Sequence, residues 1–507
     1  MGSIDGVKNT VFAGSLKANP SYLKNRGHGR MNAENATLRT TRPHRRSRSG
    51  ELLVQIDPRD VISKSPMSAM QVLIIAITVG LNGLDGFDVL SISYASPGIR
   101  AQWGIDQGVL GLVLVAELIG MAIGSIVLGG VADKIGRRPL MLGCLVAMAA
   151  GMFMVTTASS LAVLSAWRVL TGLGIGGMLA AINAVAAEFS NAKNKHMCVS
   201  IMSIGYPAVG AVGGAVASWL LRDHTWHYVF YFGFLMTIVF IPIVYFMIPE
   251  SVHWLARKQP AGALDKINRA MRHIGKATIA ALPHVSEETR KRSVLDIFRP
   301  GLIATTLICA AAYFFHITTF YYILKWVPTI VVQFGFQPSS AGGVLTWYMA
   351  GGATGGAVLG LLTMRFGLKG LTISVLVLST VLVAIFGQTP PDLGQLGLVC
   401  FFAGFFTNAG IVGLYAIFAH AFPTHVRATG TGFAIGVGRG GSVLAPSVAG
   451  FLFQAGYGVP AISILMSLGS LVAAGVLVFL KLTPDVRDEQ PAEEGVSVPS
   501  GLRSRAA

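Results

Sequence analysis

Twelve apolar runs of about twenty residues follow one another along the chain, and each is long enough to cross a ~30 Å hydrocarbon core as a helix. They fall near 69–96, 107–131, 140–157, 161–189, 198–221, 226–248, 301–333, 340–364, 369–388, 396–421, 430–453 and 459–481. A bilayer interior offers backbone groups no water, so such segments must satisfy their hydrogen bonds internally as helices. Charged residues make up 12% of the chain, against roughly 25% in ordinary soluble domains, too few to coat a soluble globule of this size. The expected fold class is therefore an all-α membrane protein with twelve transmembrane helices. The joins are often only two to eight residues, so neighbouring helices pack antiparallel.

The net charge of +16 acquires meaning from its placement. Residues 1–67 hold 12 Lys or Arg against 5 Asp or Glu, and residues 256–299 hold 10 against 4. The positive-inside rule puts both segments in the cytoplasm, and an even span count returns the C-terminus there. Basic character therefore reads as topology, and no nucleic-acid partner is expected. The first sixty residues include His44-Arg45-Arg46-Ser47-Arg48 and no apolar core of a secretory signal. They read as a disordered cytoplasmic tail, with contact to anionic lipid as the alternative, and Met31 competes with Met1 as the start. Cys144, Cys198, Cys309 and Cys400 are scattered through apolar runs without metal or redox spacing, so they read as packing residues. The expected organisation is a tail at 1–67, a six-helix bundle at 68–250, a cytoplasmic loop at 251–299, a second bundle at 300–482 and a C-terminal tail at 483–507.

A repeat at an offset of about 231 residues supports two related halves. Gly129-Gly130-Val131-Ala132-Asp133-Lys134-Ile135-Gly136-Arg137-Arg138, after span two, is echoed after span eight by Gly360-Leu361-Leu362-Thr363-Met364-Arg365-Phe366-Gly367-Leu368-Lys369. Ala187-Glu188-Phe189, closing span four, is mirrored by Ala419-His420-Ala421, closing span ten. The architecture this implies is two pseudo-symmetric six-helix bundles.

From about residue 56 to 481 the chain resembles the major facilitator superfamily, whose characteristic loop matches Gly129 to Arg138. Within it, Leu84-Asp85-Gly86-Phe87-Asp88 resembles the aromatic acid:proton symporters, which carry benzoate-type and hydroxybenzoate-type carboxylates inward. Supporting pieces are Arg168 with its following glycines, Pro249-Glu250-Ser251 before Trp254-Leu255, Pro423-Thr424 with Arg427-Ala428-Thr429-Gly430, and Gly438-Arg439-Gly440. The resemblance implies that the Asp85/Asp88 pair is required for uptake and that Glu188 assists coupling. Two departures bear on gating: His420 stands where many superfamily members carry an acid, and Met364 replaces the second loop's Asp.

Ionisable residues within spans are costly, at least ~2.5 kcal/mol at the bilayer centre, and so are functional candidates. They are Asp85, Asp88, Glu117, Arg168, Glu188, Lys325 and Arg439. Asp85 and Asp88 lie three apart on one helix face, with Gly86 between them allowing close approach. They form the candidate proton site; pairing of one Asp with an Arg for packing is the alternative. An aromatic carboxylate needs a cation, and the guanidinium fork matches its plane. Arg439 is the first candidate, while Arg168 is either a second substrate partner or the structural or relay partner of an acid. Glu117 has no assigned role, and Lys325 at the end of span seven either snorkels to the interface or touches substrate.

Span seven is rich in aromatic residues, from Tyr313-Phe314-Phe315-His316 to Phe320-Tyr321-Tyr322. Tyr313 and Tyr322 are candidate ring contacts, against an interfacial belt. His316 is a candidate hydrogen-bond partner for a ring hydroxyl or a proton relay, against a core histidine satisfied by its neighbours. Gly129, Asp133, Gly136, Arg137, Arg138 and Arg427 are expected to form a conformational gate, with Asp133 to Arg138 suited to charge latching between the halves. Gly172 to Gly177 and Gly436 to Gly441 fit a dinucleotide fingerprint but lie inside apolar spans without the preceding strand, so they read as packing glycines. No P-loop, nucleophile–base set or metal spacing is present.

The sequence therefore points to a secondary transporter importing an aromatic carboxylate with protons by alternating access. It is expected to need no cofactor or metal, to act as a monomer, and to lie in a bacterial inner membrane. A carrier of another organic acid, a drug:proton antiporter and a transporter-like sensor are the competing readings.

Overall fold

The computed structural model describes residues 57–283 and 297–480, apart from Met364, Thr424 and His425. The His44–Arg48 cluster, Met31, the end of the central segment and the tail from 483 lie outside these residues. The N-terminal half comprises α1 (Pro58–Lys64), α2 (Ala69–Trp103), α3 (Gln107–Ile135), α4 (Arg137–Val155), α5 (Leu161–Glu188), α6 (Lys195–Asp223) and α7 (His227–Met247). The connecting segment forms α8 (Val252–Lys258) and α9 (Ala263–His273). The second half comprises α10 (Ile303–Gln333), α11 (Pro338–Leu362), α12 (Leu368–Gln388), α13 (Leu393–Ala421), α14 (Arg427–Gln454) and α15 (Val459–Val478).

The twelve expected spans are the twelve long helices among these. Ten are apolar enough to cross a membrane by composition alone; α11 and α14 fall short. Both are rich in glycine and serine, which lower hydropathy while letting helices approach closely. Span one was expected to stop before Pro97, yet α2 continues to Trp103. Proline removes the N–H that would serve the carbonyl four residues earlier, and the Ser96 hydroxyl donates to that Ser93 carbonyl instead, at 2.8 Å.

Two expectations need correction. The segment 1–67, read as a disordered tail, contains α1, whose N-cap Asp57 accepts from Arg59 N at 2.9 Å and whose Ile62 is buried. The loop 251–299 contains α8 and α9, with Leu255, Ile267 and Met271 buried. Ile62, Leu255, Ile267 and Met271 share one apolar cluster. These helices are too short to announce themselves by length, and tertiary burial rather than intrinsic propensity holds them.

Close helix packing sets the interior. A Cβ added at Gly172 of α5 would lie 2.0 Å from the Glu117 carbonyl of α3, and one at Gly120 of α3 would lie 2.1 Å from the Val169 carbonyl. Backbone obstructs both positions, so Gly172→Ala must push α3 and α5 apart. Overpacking of this kind costs typically ~1–3 kcal/mol or more. The yield of monodisperse protein on size-exclusion chromatography is expected to fall severalfold for Gly172→Ala and to be unchanged for Gly130→Ala, where an added Cβ meets nothing within 4 Å. Equal yields would refute this packing account.

Chain direction defines two ends. The loop end carries residues 129–138, the start of α2 and the start of α10; the far end carries the close of α2 and the start of α3. The polar contacts described between the halves lie from the middle to the far end. Ser96 Oγ meets Thr329 Oγ1 at 2.9 Å, and Gln454 Nε2 donates to Asp106 Oδ2 at 3.0 Å. In the same region α3 and α14 nearly touch, for a Cβ at Gly111 would lie 2.7 Å from the Pro446 carbonyl.

Candidate functional site

Five ionisable side chains from four helices meet in the interior: Asp85 and Asp88 of α2, Glu117 of α3, Arg168 of α5 and Lys325 of α10. None is more than 2% exposed. The glycine contacts that bring α3 against α5 are what allow the Arg168 guanidinium to reach the Glu117 carboxylate, with which it forms an ion pair. Arg168 also donates to the Asp88 backbone carbonyl at 2.8 Å, and its guanidinium lies 5.4 Å above the Phe230 ring.

Lys325 comes from the other half. Its ammonium lies 3.5 Å from the same Glu117 oxygen and donates to the Val89 carbonyl of α2 at 2.5 Å. It is fully buried, so it does not snorkel to the interface. Glu117, which the sequence offered without a role, and Lys325 thus join the two halves at this level.

Asp85 and Asp88 share one helix face as expected, and their four carboxylate oxygens have no hydrogen-bond partner among the described residues. One Asp88 oxygen lies 3.3 Å from where a Cβ would sit on Gly233 of α7. The closest neighbour across Gly86 is backbone: a Cβ there would lie 2.5 Å from the Tyr206 carbonyl of α6. Three carboxyl groups and two cations thus share a site closed to solvent, a combination with one negative charge in excess when every group is ionised.

Arg439 of α14 stands apart from this cluster, half-buried. It lies within electrostatic reach of Tyr313, Tyr321 and Tyr415. Tyr313 and Tyr415 join their hydroxyls at 2.8 Å, and the Phe418 ring stands edge-on to Tyr313 at 5.9 Å. A cation flanked by aromatic rings is therefore present on the C-terminal half, with Tyr415 an addition to the residues the sequence suggested.

His316 and Tyr322 turn elsewhere. His316 meets Ser470 Oγ at 2.8 Å and the Thr407 carbonyl at 2.9 Å, so both ring nitrogens are occupied inside the C-terminal bundle. Tyr322 meets Ser463 Oγ at 2.7 Å. Together with Thr319, which donates to the Met466 carbonyl at 2.7 Å, they form the face of α10 that holds α15. Their spacing of three marks this face, whereas Tyr321, Lys325 and Thr329, spaced by four, mark the face toward the N-terminal half.

The gating candidates assemble at the loop end with Glu188. Glu188 closes α5 twenty residues beyond Arg168, about 30 Å along the helix at 1.5 Å per residue, and so sits remote from the Asp pair. It pairs with Arg137 at 3.4 Å and accepts from the Ser251 hydroxyl. Asp133 pairs with Arg137 at 3.1 Å and with Arg257 of α8 at 2.9 Å. Gly136 holds φ +105, a backbone state that favours glycine, beside the Glu250 carboxylate. Glu250 accepts from Arg137 N and Ser251 N, both at 2.8 Å, and so caps the start of α4. Burial pushes the Glu250 carboxyl above its ordinary range, against the backbone bonds that pull it down.

Arg138 donates to the Tyr245 carbonyl and lies 4.9 Å above its ring. Gly129 faces open space up to Ala180, 3.9 Å from an added Cβ. Arg427 donates to the Phe422 carbonyl at 3.3 Å within its own half. The loop was expected to latch one half to the other; its described partners belong to the N-terminal half and α8. In this conformation the charges fasten α4, α5 and α8 together, while the halves meet at the other end. Met364, in the second copy of the loop, lies outside the described residues.

Comparison with known proteins bears on the family and the fold. The family model for the Major Facilitator Superfamily matches residues 78–337 and 309–506. A gallate transporter of Pseudomonas putida is 27% identical over 426 residues, covering 83% of this chain and 94% of the relative. A 3-(3-hydroxy-phenyl)propionate transporter of Escherichia coli is 29% identical over 434 residues, covering 83% and 97%. Among solved structures, the inward open conformation of a xylose transporter from E. coli shares the fold, with a TM-score of 0.64 at 17% identity over 82% of this chain and 98% of that one.

Proposed function

Since the chain belongs to the major facilitator superfamily, we propose that it imports an aromatic carboxylate together with protons by alternating access across a bacterial inner membrane. The observation that carries this reading is the buried charge cluster, in which Asp85 and Asp88 present four unbonded carboxylate oxygens beside Glu117, Arg168 and Lys325. Three carboxyls against two cations favour one bound proton, because an uncompensated charge deep in a low-dielectric interior is costly. Loading and release of that proton is the step a gradient can drive. The relatives that carry gallate and a hydroxyphenylpropionate supply the substrate class.

The aromatic ring is received on the C-terminal half. Tyr313, Tyr415 and Phe418 offer edge and face contacts to a benzene ring, and Arg439 supplies a bidentate partner for the carboxylate. The basic segments support a cytoplasmic loop end and cytoplasmic termini, and on this reading the conformation described is the one closed to the outside. At the loop end, the Asp133, Arg137, Glu188 and Glu250 contacts keep the N-terminal helices a single rigid body as the halves rock.

The test is initial uptake of labelled benzoate, 4-hydroxybenzoate, a phenylpropionate and aliphatic acids into cells expressing the chain, with and without a protonophore. Uptake of an aromatic acid that the protonophore lowers at least several-fold is expected. Uptake confined to aliphatic acids, or indifferent to the protonophore, would overturn the substrate class or the coupling respectively.

A further inference from the structure

The buried cluster contains a cross-half connection that proton loading and ring binding leave unused. Glu117 is shared: one carboxylate oxygen serves Arg168 of its own half and Lys325 of the other. Arg168 in turn touches the backbone of Asp88. Lys325 is anchored twice, on Glu117 and on the Val89 carbonyl. One helical turn further along α10, Thr329 meets Ser96, and beyond it Gln454 meets Asp106. The Lys325 contacts thus form the inner end of a polar seam that runs to the far end.

We propose that the Glu117–Lys325 pair links the protonation state of the Asp85/Asp88 pair to closure of the far end, with Lys325 as the positioning residue that carries the link across the halves. This rests on the proton-symport reading above. The groups around the Asp pair are Arg168 of α5, Glu117 of α3, Tyr206 of α6 and Cys144 of α4, with Lys325 of α10 behind Glu117. When Asp88 is ionised it competes with Glu117 for Arg168, so Glu117 leans on Lys325 and the seam tightens. When Asp88 carries a proton, Arg168 is left to Glu117, and Lys325 is freer to part as α10 swings away. Opening the far end also admits water to the ammonium, which relieves its desolvation. Proton binding and far-end opening then favour one another, and by linkage the proton is held better when the site faces outward and worse when it faces inward. That is the sign an importer driven by an inward proton gradient requires.

The experiment places spin labels at Ala101→Cys and Gln333→Cys, both exposed at the far ends of α2 and α10, while the four native cysteines are buried. Dipolar distances on purified full-length protein give the closed-to-open ratio at each pH, and uptake with protonophore is measured in parallel. The wild-type ratio is expected to rise ~10-fold from pH 5 to pH 8, within the range of typical allosteric couplings. Lys325→Gln should lower the ratio and flatten its pH profile, and Lys325→Arg should restore both. Where Lys325→Gln does not fold, Glu117→Gln/Lys325→Gln removes the pair together and should give the same flat profile. A Gln variant that keeps the wild-type profile, or a wild type without any pH response despite protonophore-sensitive uptake, overturns the link alone. Uptake indifferent to the protonophore overturns the symport reading and the link with it.

Discussion

Asp88→Asn is expected to reduce accumulation of the aromatic acid from a gradient-driven excess to equilibrium, while the protein remains folded and still exchanges labelled for unlabelled acid. Asparagine matches the shape of aspartate but cannot load and release a proton. No side-chain hydrogen bond among the described residues is lost in the exchange, since the Asp88 carboxylate oxygens have no such partner there and the bond from Arg168 goes to the backbone carbonyl. The size of the effect follows from the gradient: one proton moved across one pH unit supplies about 1.4 kcal/mol, a factor of ten in accumulation. Cells holding a difference of one pH unit should therefore show about a tenfold internal excess with the wild type and none with the variant, read from steady-state labelled acid. Asp85→Asn should behave alike if the two carboxyls act as one site. Accumulation above equilibrium in both variants would remove the pair from the coupling path.

Why these residues were visible in the sequence, and their partners were not, has a physical basis. An ionisable group in a twenty-residue apolar run is rare because it is costly, so Asp85, Asp88, Glu117, Arg168 and Lys325 stand out individually. Pairing them needs distances between helices, which no spacing within a run supplies. That is why Lys325 read equally well as a snorkelling lysine, and why Arg168 had two readings. The spacing within α10 did hold a usable signal. His316, Thr319 and Tyr322 fall on the face bonded to α15, while Tyr321, Lys325 and Thr329 fall on the opposite-half face. Tyr322, a candidate ring contact, falls on the first of these faces and Tyr321 on the second. The long helices were legible for the opposite reason, that each carries its own length and apolarity, whereas α1, α8 and α9 exist through contacts distant in sequence.

Arg168→Gln is expected to be the most damaging single change to the fold, and Glu117→Gln/Arg168→Gln to recover much of what it loses without recovering transport. Arg168 alone pairs with Glu117 from within the N-terminal half, donates to the Asp88 carbonyl, and covers the Phe230 ring. Removing it leaves a fully buried carboxylate supported, among the described residues, by Lys325 at 3.5 Å from the other half. Breaking a buried pair by deleting one partner costs about 3–5 kcal/mol, because the remaining charge is desolvated and uncompensated, whereas neutralising both partners is often close to neutral. A cost of that size is a large fraction of a typical folding free energy, so the yield of monodisperse Arg168→Gln protein should fall several-fold below wild type. Neutralising Glu117 as well removes the stranded carboxylate and leaves the Lys325 ammonium on the Val89 carbonyl, so yield should return part of the way toward wild type while proton-driven accumulation stays absent. If the double variant folds no better than the single one, the penalty lies in the lost Asp88 and Phe230 contacts and not in an unpaired Glu117. If it folds and accumulates acid, Arg168 and Glu117 serve the fold alone, and coupling must run through the Asp pair without them.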